Sequence, residues 1–196
     1  MIMIVVEAYS PKRLDAAVEA LASAFVTNPL HLSAFGPDRL DRNRFFFRVG
    51  LRHMFTGSAF VALDGGEIVG YVHFNTSPLC LPPPESLPAF AAAELRPLED
   101  AVPRVIEWFA RWARLDPAEP HSHLGPIGVV PAYQRQGVGR ALMNRYVEHL
   151  DGEKIEGYLE TDRAGNVDFY TKFGFAVVRE EKVIGVPTWY MRRPPP

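Results

Sequence analysis

One stretch of the chain, residues 123–150, carries an apolar run followed by an apolar stripe. The run has strand length and contains Leu124, Ile127, Val129 and Val130. Pro131 ends it, because proline has no N–H for a strand ladder. Apolar residues then recur at helical spacing: Leu142, Met143, Tyr146, Val147 and Leu150. The pattern predicts a strand, a turn and a helix that ends at Asp151-Gly152.

The same periodicities divide the rest of the chain into strands and helices. The predicted strands are residues 2–8, 58–63, 67–75, 154–161, 175–178 and 187–192. The predicted helices begin at Ser10-Pro11, cover about residues 38–55 and 98–115, and follow Asn166 to an end at Gly174. Asn28-Pro29 is interpreted as the break after the first helix.

Residues 76–119 are the least regular segment, and prolines make their first third an extended connector. In the helix that follows, Trp112 lies on the apolar stripe and is predicted to pack in the core. Trp108 and Glu107 fall off that stripe, so they are predicted to face a ligand or water. Because the flanking strands belong to one sheet, we predict a single domain over residues 1–196.

The turn before the helix at 138–150 contains Gly137 and Gly139, which leave the backbone bare. The first turn of a helix has unpaired N–H donors and a partial positive charge, so it is a ready site for phosphate. Arg135 and Arg140 add full charges. A P-loop would need a following Lys-Ser or Lys-Thr, and a dinucleotide fingerprint would need a third glycine where Leu142 stands. We interpret residues 134–140 as a pyrophosphate cradle; the alternative is an ordinary strand-to-helix turn.

The pattern Gln134-x-x-Gly137-x-Gly139, between an apolar strand and an amphipathic helix, is similar to the acetyl-CoA signature of the GCN5-related N-acetyltransferase (GNAT) superfamily. The next part of the chain also resembles the superfamily. Its next strand is similar to Tyr158-Leu159-Glu160-Thr161, and its asparagine-bearing helix is matched at Asn166. Its Tyr-x-x-x-Gly-Phe segment is similar to Phe169-Tyr170-Thr171-Lys172-Phe173-Gly174-Phe175. Two segments resemble the puromycin N-acetyltransferase branch of the superfamily: Leu-Glu-Thr-x-x-x-x-Asn-x-x-Phe-Tyr, which begins at Leu159, and Thr188-Trp189-Tyr190-Met191. The resemblance covers about residues 121–193.

The resemblance implies an α/β fold with a twisted, six- to seven-stranded mixed sheet, flanked by helices and splayed at its centre. It implies acetyl-CoA as cosubstrate, with the pantetheine arm on the main chain at Gly128 and Val129. The pyrophosphate would rest on the cradle: Gln134, Arg135, Gln136, Gly137, Val138, Gly139 and Arg140. Asn166 would hydrogen-bond the cofactor, and Tyr170 would protonate the departing thiolate. Independently of the resemblance, we interpret the segment 76–119 as a loop over the acceptor site, because the strands that flank it belong to one sheet; the alternative is a linker between domains.

An amine acceptor must lose a proton, and three residues are candidates for the base: His123, His121 and Glu160. His121 and His123 lie two apart on a strand, so they point the same way. The alternative is that both histidines pack or lie on the surface. The same spacing suits a metal pair, but we predict no metal because no third ligand stands nearby in the sequence.

Composition excludes several partner classes. The net charge of −2 gives no reason to expect nucleic acid, so the arginines among Phe45, Phe46 and Phe47 are interpreted as a solvated helix face. Cys80 is the only cysteine, which excludes an internal disulfide. The apolar start is too short for a signal peptide, and no run could span a bilayer. We therefore expect a cytoplasmic protein that has no membrane partner.

Three functions stay open. The first is acetyl transfer from acetyl-CoA to the primary amine of a small molecule by direct attack in a ternary complex, with an aminonucleoside-like antibiotic as one such acceptor. The second is acetylation of a protein N-terminus or lysine. The third is a non-catalytic acyl-CoA sensor. Dimers are common in the superfamily, so the resemblance also favours a homodimer.

Overall fold

A computed structural model describes residues 3–77 and 80–196, and one open seven-stranded sheet forms its centre. The strands are β1 (Val5–Ala8), β2 (Ser58–Asp64), β3 (Glu67–Ser77), β4 (His121–Val129), β5 (Glu156–Thr161), β6 (Ala176–Val183) and β7 (Val186–Arg193). They lie in the order β1-β2-β3-β4-β5-β7-β6, and only the β4–β5 pair is parallel. This mixed sheet, flanked by helices, confirms the predicted fold class.

Helices cover both faces of the sheet. They are α1 (Leu14–Phe25), α2 (Pro29–Phe35), α3 (Leu40–Val49), α4 (Leu87–Phe90), α5 (Val102–Ala113), α6 (Val138–Glu153) and α7 (Ala164–Thr171). Side chains of α1, α2, α3 and α5 form one core together with Tyr71 of β3. Those of α6 and α7 form the other core with Val72 and Phe74. Within the described residues, no helix has the length and apolar character needed to cross a membrane.

The centre of the sheet is splayed, as predicted. β4 and β5 are paired only from His121 to His123, opposite residues 156–158. Beyond that point β4 stays with β3, through a register shift between Val72 and Phe74. Gly125 lies in this irregular part, where a Cβ would come within 2.6 Å of His73 Nδ1. The backbone of β4 after His123 is therefore free of β5, and a gap opens between them.

The N-terminal part contains one helix more than the sequence pattern predicts. Asn28-Pro29 is predicted to break the first helix, and in the structure the pair also begins α2. The Asn28 side chain accepts a hydrogen bond from the His31 N–H at 3.2 Å, and proline suits the first helical position. The predicted break is confirmed, because α1 ends at Phe25 just before the pair. The sequence pattern does not predict that the pair also starts a second helix.

Several predicted boundaries move. The helix predicted over residues 38–55 is α3, Leu40–Val49, continued by a π-helical turn at Gly50–Met54. β1 begins at Val5, and Ile2, its predicted start, lies outside the described residues. α6 runs through Asp151-Gly152, because the left-handed cap is Lys154 with φ of 53°. Gly174 has φ of 86° and follows α7 as predicted.

The segment 76–119 is more ordered than predicted. β3 runs on to Ser77, whereas Pro78 lies outside the described residues. Short helical turns then lead into α5 and bury a row of apolar side chains: Leu87, Ala91, Leu95, Leu98 and Ala101. α5 begins at Val102 instead of near residue 98, because Glu99 has φ of 51° and interrupts the helical path.

Candidate active site

The turn before α6 presents free backbone donors. Arg135 and Gly137 both have left-handed φ angles, 61° and 88°. Among the described residues, the N–H groups of 135–140 have no partner, and the first helical bond runs from the Ala141 N–H to the Gly137 carbonyl at 3.0 Å. A Cβ on Gly137 would meet no atom within 4 Å. Open space therefore lies beside a row of unpaired donors at the positive end of a helix.

These donors border a groove of about 1390 Å³ between α1, β4, α6 and α7. Nine of the predicted cofactor residues line it: Gly128, Val129, Gln134, Arg135, Gly137, Gly139, Arg140, Asn166 and Tyr170. Gln136 and Val138 do not. The Gln136 side chain donates to the Ala132 carbonyl at 2.7 Å, and the Val138 side chain is 1% exposed in the core. At these two positions only the main chain is available to a ligand.

Several lining residues of the groove also have structural partners. Gln134 Nε2 donates to the Val129 carbonyl at 3.1 Å, which ties the turn to the end of β4. Asn166 Nδ2 donates to Thr161 Oγ1 at 3.1 Å. At Gly128 a Cβ would lie 3.1 Å from side chains of α1, so glycine lets that helix approach the strand. Each contact fixes the shape of the groove before any ligand binds.

A second, smaller cavity of about 140 Å³ lies on the other side of Tyr170. We call it the aromatic cavity, because its walls include Phe25, Phe46, Phe47, Phe55, Trp108, Phe109 and Trp112. Trp108 is 3% exposed and stacks on Phe46, with 5.8 Å between ring centroids. Trp112, predicted to be a core residue, is only half-buried. Cys80, Leu81 and Pro82 of the 76–119 segment also line this cavity.

The groove and the aromatic cavity share wall residues, among them Asp162, Asn166 and Tyr170. Tyr170 is 5% exposed and packs against Phe169, with 5.3 Å between ring centroids. Burial and the nearby Asp162 carboxylate raise the pKa of the Tyr170 phenol. The phenol therefore keeps its proton at neutral pH, at the place where the two spaces meet.

A buried hydrogen-bond network forms the polar end of the aromatic cavity. Asp116 Oδ1 accepts from His121 Nε2 at 3.2 Å and from His123 Nδ1 at 3.0 Å. His123 Nε2 donates to Glu160 Oε2 at 2.7 Å, and His121 Nδ1 donates to the Glu119 carbonyl at 2.9 Å. Both ring nitrogens of each histidine thus contact acceptors. Glu160 Oε1 is buried without a partner among the described residues.

Both histidines of the network hold their protons tightly. Burial alone would lower the pKa of His123, but the Glu160 charge and the hydrogen bond to Asp116 raise it to about 10. For His121, burial is likewise outweighed by the hydrogen bond to Asp116, which raises the pKa to about 9. Burial alone would raise the pKa of Asp116, but hydrogen bonds from the two histidines hold it below its usual range. At neutral pH two imidazolium ions therefore face two carboxylates.

Two other histidines near the cavity behave oppositely. Burial lowers the pKa of His31 to about 3 and that of His73 to about 4. His31 Nδ1 lies 2.6 Å from Asn43 Oδ1, and His73 Nε2 accepts from the Gly57 N–H at 3.1 Å. Both rings are neutral at physiological pH, so they act as part of the apolar wall.

Asp116 is the site residue that the sequence analysis missed. It lies in the turn between α5 and β4, where neither periodicity nor a motif marks it. With it, the fold brings together four groups that could hold a metal ion: Cys80, Asp116, His121 and His123 offer ligand atoms within 4.8 Å of one another. The prediction of no metal is based on the lack of a third ligand near His121 and His123, and Asp116 and Cys80 contradict that reason. The expectation itself stays a prediction, since protons already balance the charge of this cluster.

Comparisons with known proteins agree with this geometry. A structure from Corynebacterium glutamicum, described as histone acetyltransferase HPA2 and related acetyltransferase, has a TM-score of 0.74 at 23% identity and covers 100% of this chain and 98% of its own. An agmatine N-acetyltransferase mutant has a TM-score of 0.69 at 14% identity, with 96% and 98% covered. A Brucella melitensis GNAT family acetyltransferase in complex with acetyl-CoA has a TM-score of 0.53 at 14% identity, with 97% and 88% covered.

These identities are low, so the likenesses establish the fold alone. The family follows from the sequence itself, because the profile of the Acetyltransferase (GNAT) family matches residues 24–175. That match spans the cradle, the splayed strands and the Tyr170 helix. The chain belongs to the GNAT acetyltransferase family, and it is an acetyl-CoA-dependent acetyltransferase.

Proposed function

We propose that the protein transfers the acetyl group of acetyl-CoA to the primary amine of a small molecule, by direct attack in a ternary complex. The observation that carries the proposal is the meeting of two spaces at Tyr170. One is a groove with free backbone donors, and the other is a smaller cavity with a carboxylate at its polar end. A thioester from the first and an amine from the second would meet there.

The groove suits coenzyme A at both of its ends. The unpaired N–H groups of residues 135–140 and the side chains of Arg135 and Arg140 would hold the pyrophosphate. The main chain at Gly128 and Val129 is free of β5, so it can pair with the amide groups of the pantetheine arm. Such positioning can supply ~7–11 kcal/mol of the barrier to acyl transfer.

The polar network favours Glu160 as the group that takes the amine proton. Glu160 Oε1 has no partner among the described residues, whereas His123 already carries a proton at neutral pH. His123 would hold and orient the Glu160 carboxylate through the 2.7 Å hydrogen bond. His121 is fully buried with both nitrogens engaged, which disfavours it as the base. Apolar walls also lower the pKa of a bound ammonium group.

The bond changes follow from this placement. The amine nitrogen attacks the thioester carbonyl carbon and loses its proton to the Glu160–His123 pair. The C–S bond then breaks, and the thiolate takes a proton from the Tyr170 hydroxyl. The raised pKa of Tyr170 keeps that proton in place until the thiolate forms. Asn166, at the same junction, would hydrogen-bond the cofactor with the amide oxygen that its contact to Thr161 leaves free.

Release of CoA thiol from acetyl-CoA in the presence of primary amines tests the proposal. We expect Tyr170→Phe to lower kcat by ~10²–10⁴-fold, as loss of a general acid does. Tyr9→Phe is the matched control, because Tyr9 packs edge-on to Tyr71 and lines neither the groove nor the aromatic cavity. If Tyr170→Phe leaves thiol release unchanged, Tyr170 is not the acid. If no amine is acetylated although acetyl-CoA raises the Tm, the sensor alternative replaces the enzyme.

Acetylation of a protein is the second candidate, since the relative from Corynebacterium glutamicum is described as a histone acetyltransferase. A cavity of about 140 Å³ disfavours it, because a peptide needs an open groove on the acceptor side. Peptides with a free N-terminus and peptides with an internal lysine therefore belong in the same assay. Faster thiol release with either peptide than with every small amine would reverse the order of the two candidates.

A further inference from the structure

The walls of the aromatic cavity show what kind of amine it selects. Seven rings line its apolar part: Phe25, Phe46, Phe47, Phe55, Trp108, Phe109 and Trp112. Trp108 is the centre of this set, stacked on Phe46 and edge-on to Trp112 at 5.3 Å between centroids. Flat aromatic groups pack favourably on such stacked and edge-on surfaces. A flexible polar chain would leave these faces poorly filled.

The charges of the cavity lie at one end only. Among the described residues that line it there is no lysine or arginine, and His31 and His73 are neutral. The one cation among those described residues is His123, which is already paired with Glu160 Oε2 at 2.7 Å. The carboxylates are Glu160, at the polar end, and Asp162, which already accepts bonds from Asn28 Nδ2 and the Leu30 N–H at 2.8 Å each. One ammonium group can therefore donate a hydrogen bond to Glu160 Oε1, the carboxylate oxygen that His123 and the other described residues leave without a partner. A second charged group, further in, would have no such partner.

The size of the cavity further restricts the class of amine that it can hold. Its volume is about 140 Å³, and an apolar cavity of ~150 Å³ in another protein binds benzene. One six-membered ring fits that space, and an aminonucleoside, with its fused base and its sugar, does not. The aminonucleoside acceptor suggested by the sequence resemblance is therefore disfavoured by volume.

We infer that the acceptor is a small aryl-alkyl monoamine: a single aromatic ring in the aromatic cavity, joined by a short alkyl link to a primary amine at Glu160. The inference rests on the proposed function and specifies its substrate class. The ring packs among the seven aromatic side chains, and the ammonium group donates to the free Glu160 oxygen. Diamines and guanidino amines are rejected, because cation–π attraction returns only part of the hydration that a second cation loses.

The test is a comparison of four acceptors by CoA thiol release: 2-phenylethylamine, n-butylamine, agmatine and spermidine. We expect kcat/KM for 2-phenylethylamine to exceed that for n-butylamine by roughly 10–100-fold, the gain from burying a phenyl group. We expect a larger ratio over agmatine and spermidine. Equal or higher kcat/KM for either polycationic amine would overturn the inference while leaving amine acetylation established.

Variants separate ring recognition from general damage. Trp112→Leu should raise KM for 2-phenylethylamine about tenfold or more and leave KM for n-butylamine within about twofold, since the ring loses one aromatic wall. Trp189→Leu is the matched control, because Trp189 lies on β7 and donates to Glu180 at 3.0 Å, outside the cavity. If Trp112→Leu does not fold, Phe55→Leu removes a half-buried wall residue instead. Equal changes in KM for both amines would contradict the inference.

A binding measurement distinguishes the two possible failures. Tryptophan fluorescence of the protein is titrated with 2-phenylethylamine and with agmatine, without acetyl-CoA. Saturable quenching by 2-phenylethylamine alone, together with no acetylation of any amine, would keep the ring site and refute the proposed function. No quenching by 2-phenylethylamine, or equal quenching by both amines, would refute the ring site whatever the turnover.

Discussion

Asp116 shows how one residue can set the chemistry of several others. Its Oδ1 atom is shared by His121 and His123, and its Oδ2 atom accepts from the Leu81 N–H at 3.0 Å. The carboxylate thereby fixes the ring of His123, which in turn holds Glu160. It also ties the 76–119 segment to the polar end of the aromatic cavity. Asp116 acts through His123, so it is a positioning residue.

Replacing Asp116 by asparagine tests this role. The amide cannot supply the negative charge that, together with Glu160, keeps His123 protonated. The ring of His123 is then less firmly fixed, and so is the Glu160 carboxylate that it holds. We expect Asp116→Asn to lower kcat by at least ~10-fold with little change in KM for acetyl-CoA, because a positioned base contributes ~10²–10⁴. His53→Asn, an exposed histidine paired with Glu94, is the control. A rise in KM for acetyl-CoA as large as the fall in kcat would indicate general disruption of the fold. The prediction that no metal is involved has its own test: kcat of the wild-type protein should be unchanged after dialysis against a chelator.

The chemistry of single residues is predictable from the sequence only where a motif or a strand period marks them. His121, His123 and Glu160 meet because the period of two on β4 and the parallel register with β5 place them on one face. Asp116 and Cys80 reach the same cluster from loops, whose paths depend on tertiary packing. The aromatic cavity is not predictable for the same reason, since its walls come from separate elements.

At the scale of elements, the turn before α6 depends on a backbone shape that glycine favours. Gly137→Val would strain a residue at φ of 88° and displace the neighbouring N–H donors, although its Cβ touches no protein atom. Saturating acetyl-CoA at 100 times its Kd should add ~2.7 kcal/mol to the wild-type free energy of unfolding. We expect the variant to lose most of the resulting Tm shift, measured by thermal unfolding with and without acetyl-CoA.

Gly185→Val is the control for that experiment. Gly185 has φ of 84° in the β6–β7 turn, also with no neighbour within 4 Å, and it does not line the groove. Both variants carry similar backbone strain, but only one lies in the turn that holds the donors. The control should therefore keep the full acetyl-CoA shift, whereas a full shift in Gly137→Val would contradict the cradle.

Two helix starts with the same sequence signal behave differently. Ser10-Pro11 and Asn28-Pro29 both place a capping residue before proline, yet the Ser10 side chain makes no capping bond. Asn28 caps α2 and also donates to Asp162 at 2.8 Å, which joins the helix to the end of β5. A capping motif in the sequence therefore predicts where a helix begins, but only the packing decides whether the side chain contributes.

Alanine substitution measures that difference. Asn28→Ala removes a cap and leaves the Asp162 carboxylate without one of its two donors, so we expect the free energy of unfolding to fall by ~1–3 kcal/mol. Ser10→Ala should change it by less than ~0.5 kcal/mol, because no bond is lost. Urea unfolding of both variants gives the comparison. Equal losses at the two positions would contradict the assignment of the cap.

For the whole molecule, the two faces of the sheet differ in what they bury. The face covered by α1, α2, α3 and α5 holds the aromatic cavity and the neutral histidines, and the face covered by α6 and α7 carries the regular core. The regular side is predictable from its periodicity. The face with the cavity is not, because α2 and the turns after Ser77 follow from tertiary contacts.

The four buried histidines predict how the stability of the whole molecule depends on pH. The pKa values of His121 and His123 are raised to about 9 and about 10, so the folded state keeps two protons that the unfolded chain releases above its ordinary value of 6.5. Their stabilisation is complete below pH 6.5 and is lost as the pH rises through 9 to 10. Each group changes the free energy of unfolding by up to ~1.4 kcal/mol per pH unit.

Below pH 6.5 the dependence reverses, and the free energy of unfolding falls as the pH falls. His31 and His73 have pKa values lowered to about 3 and about 4, so the unfolded chain gains protons first and stability falls as the pH drops below 6.5. Burial raises the pKa of Asp162, so this group favours the folded state at low pH. Its effect opposes that of His31 and His73, but it is a single group. We therefore expect maximum stability near pH 6.5 in urea unfolding. Asp116→Asn should flatten the alkaline fall, whereas a wild-type profile flat from pH 6.5 to 9 would refute the charged network.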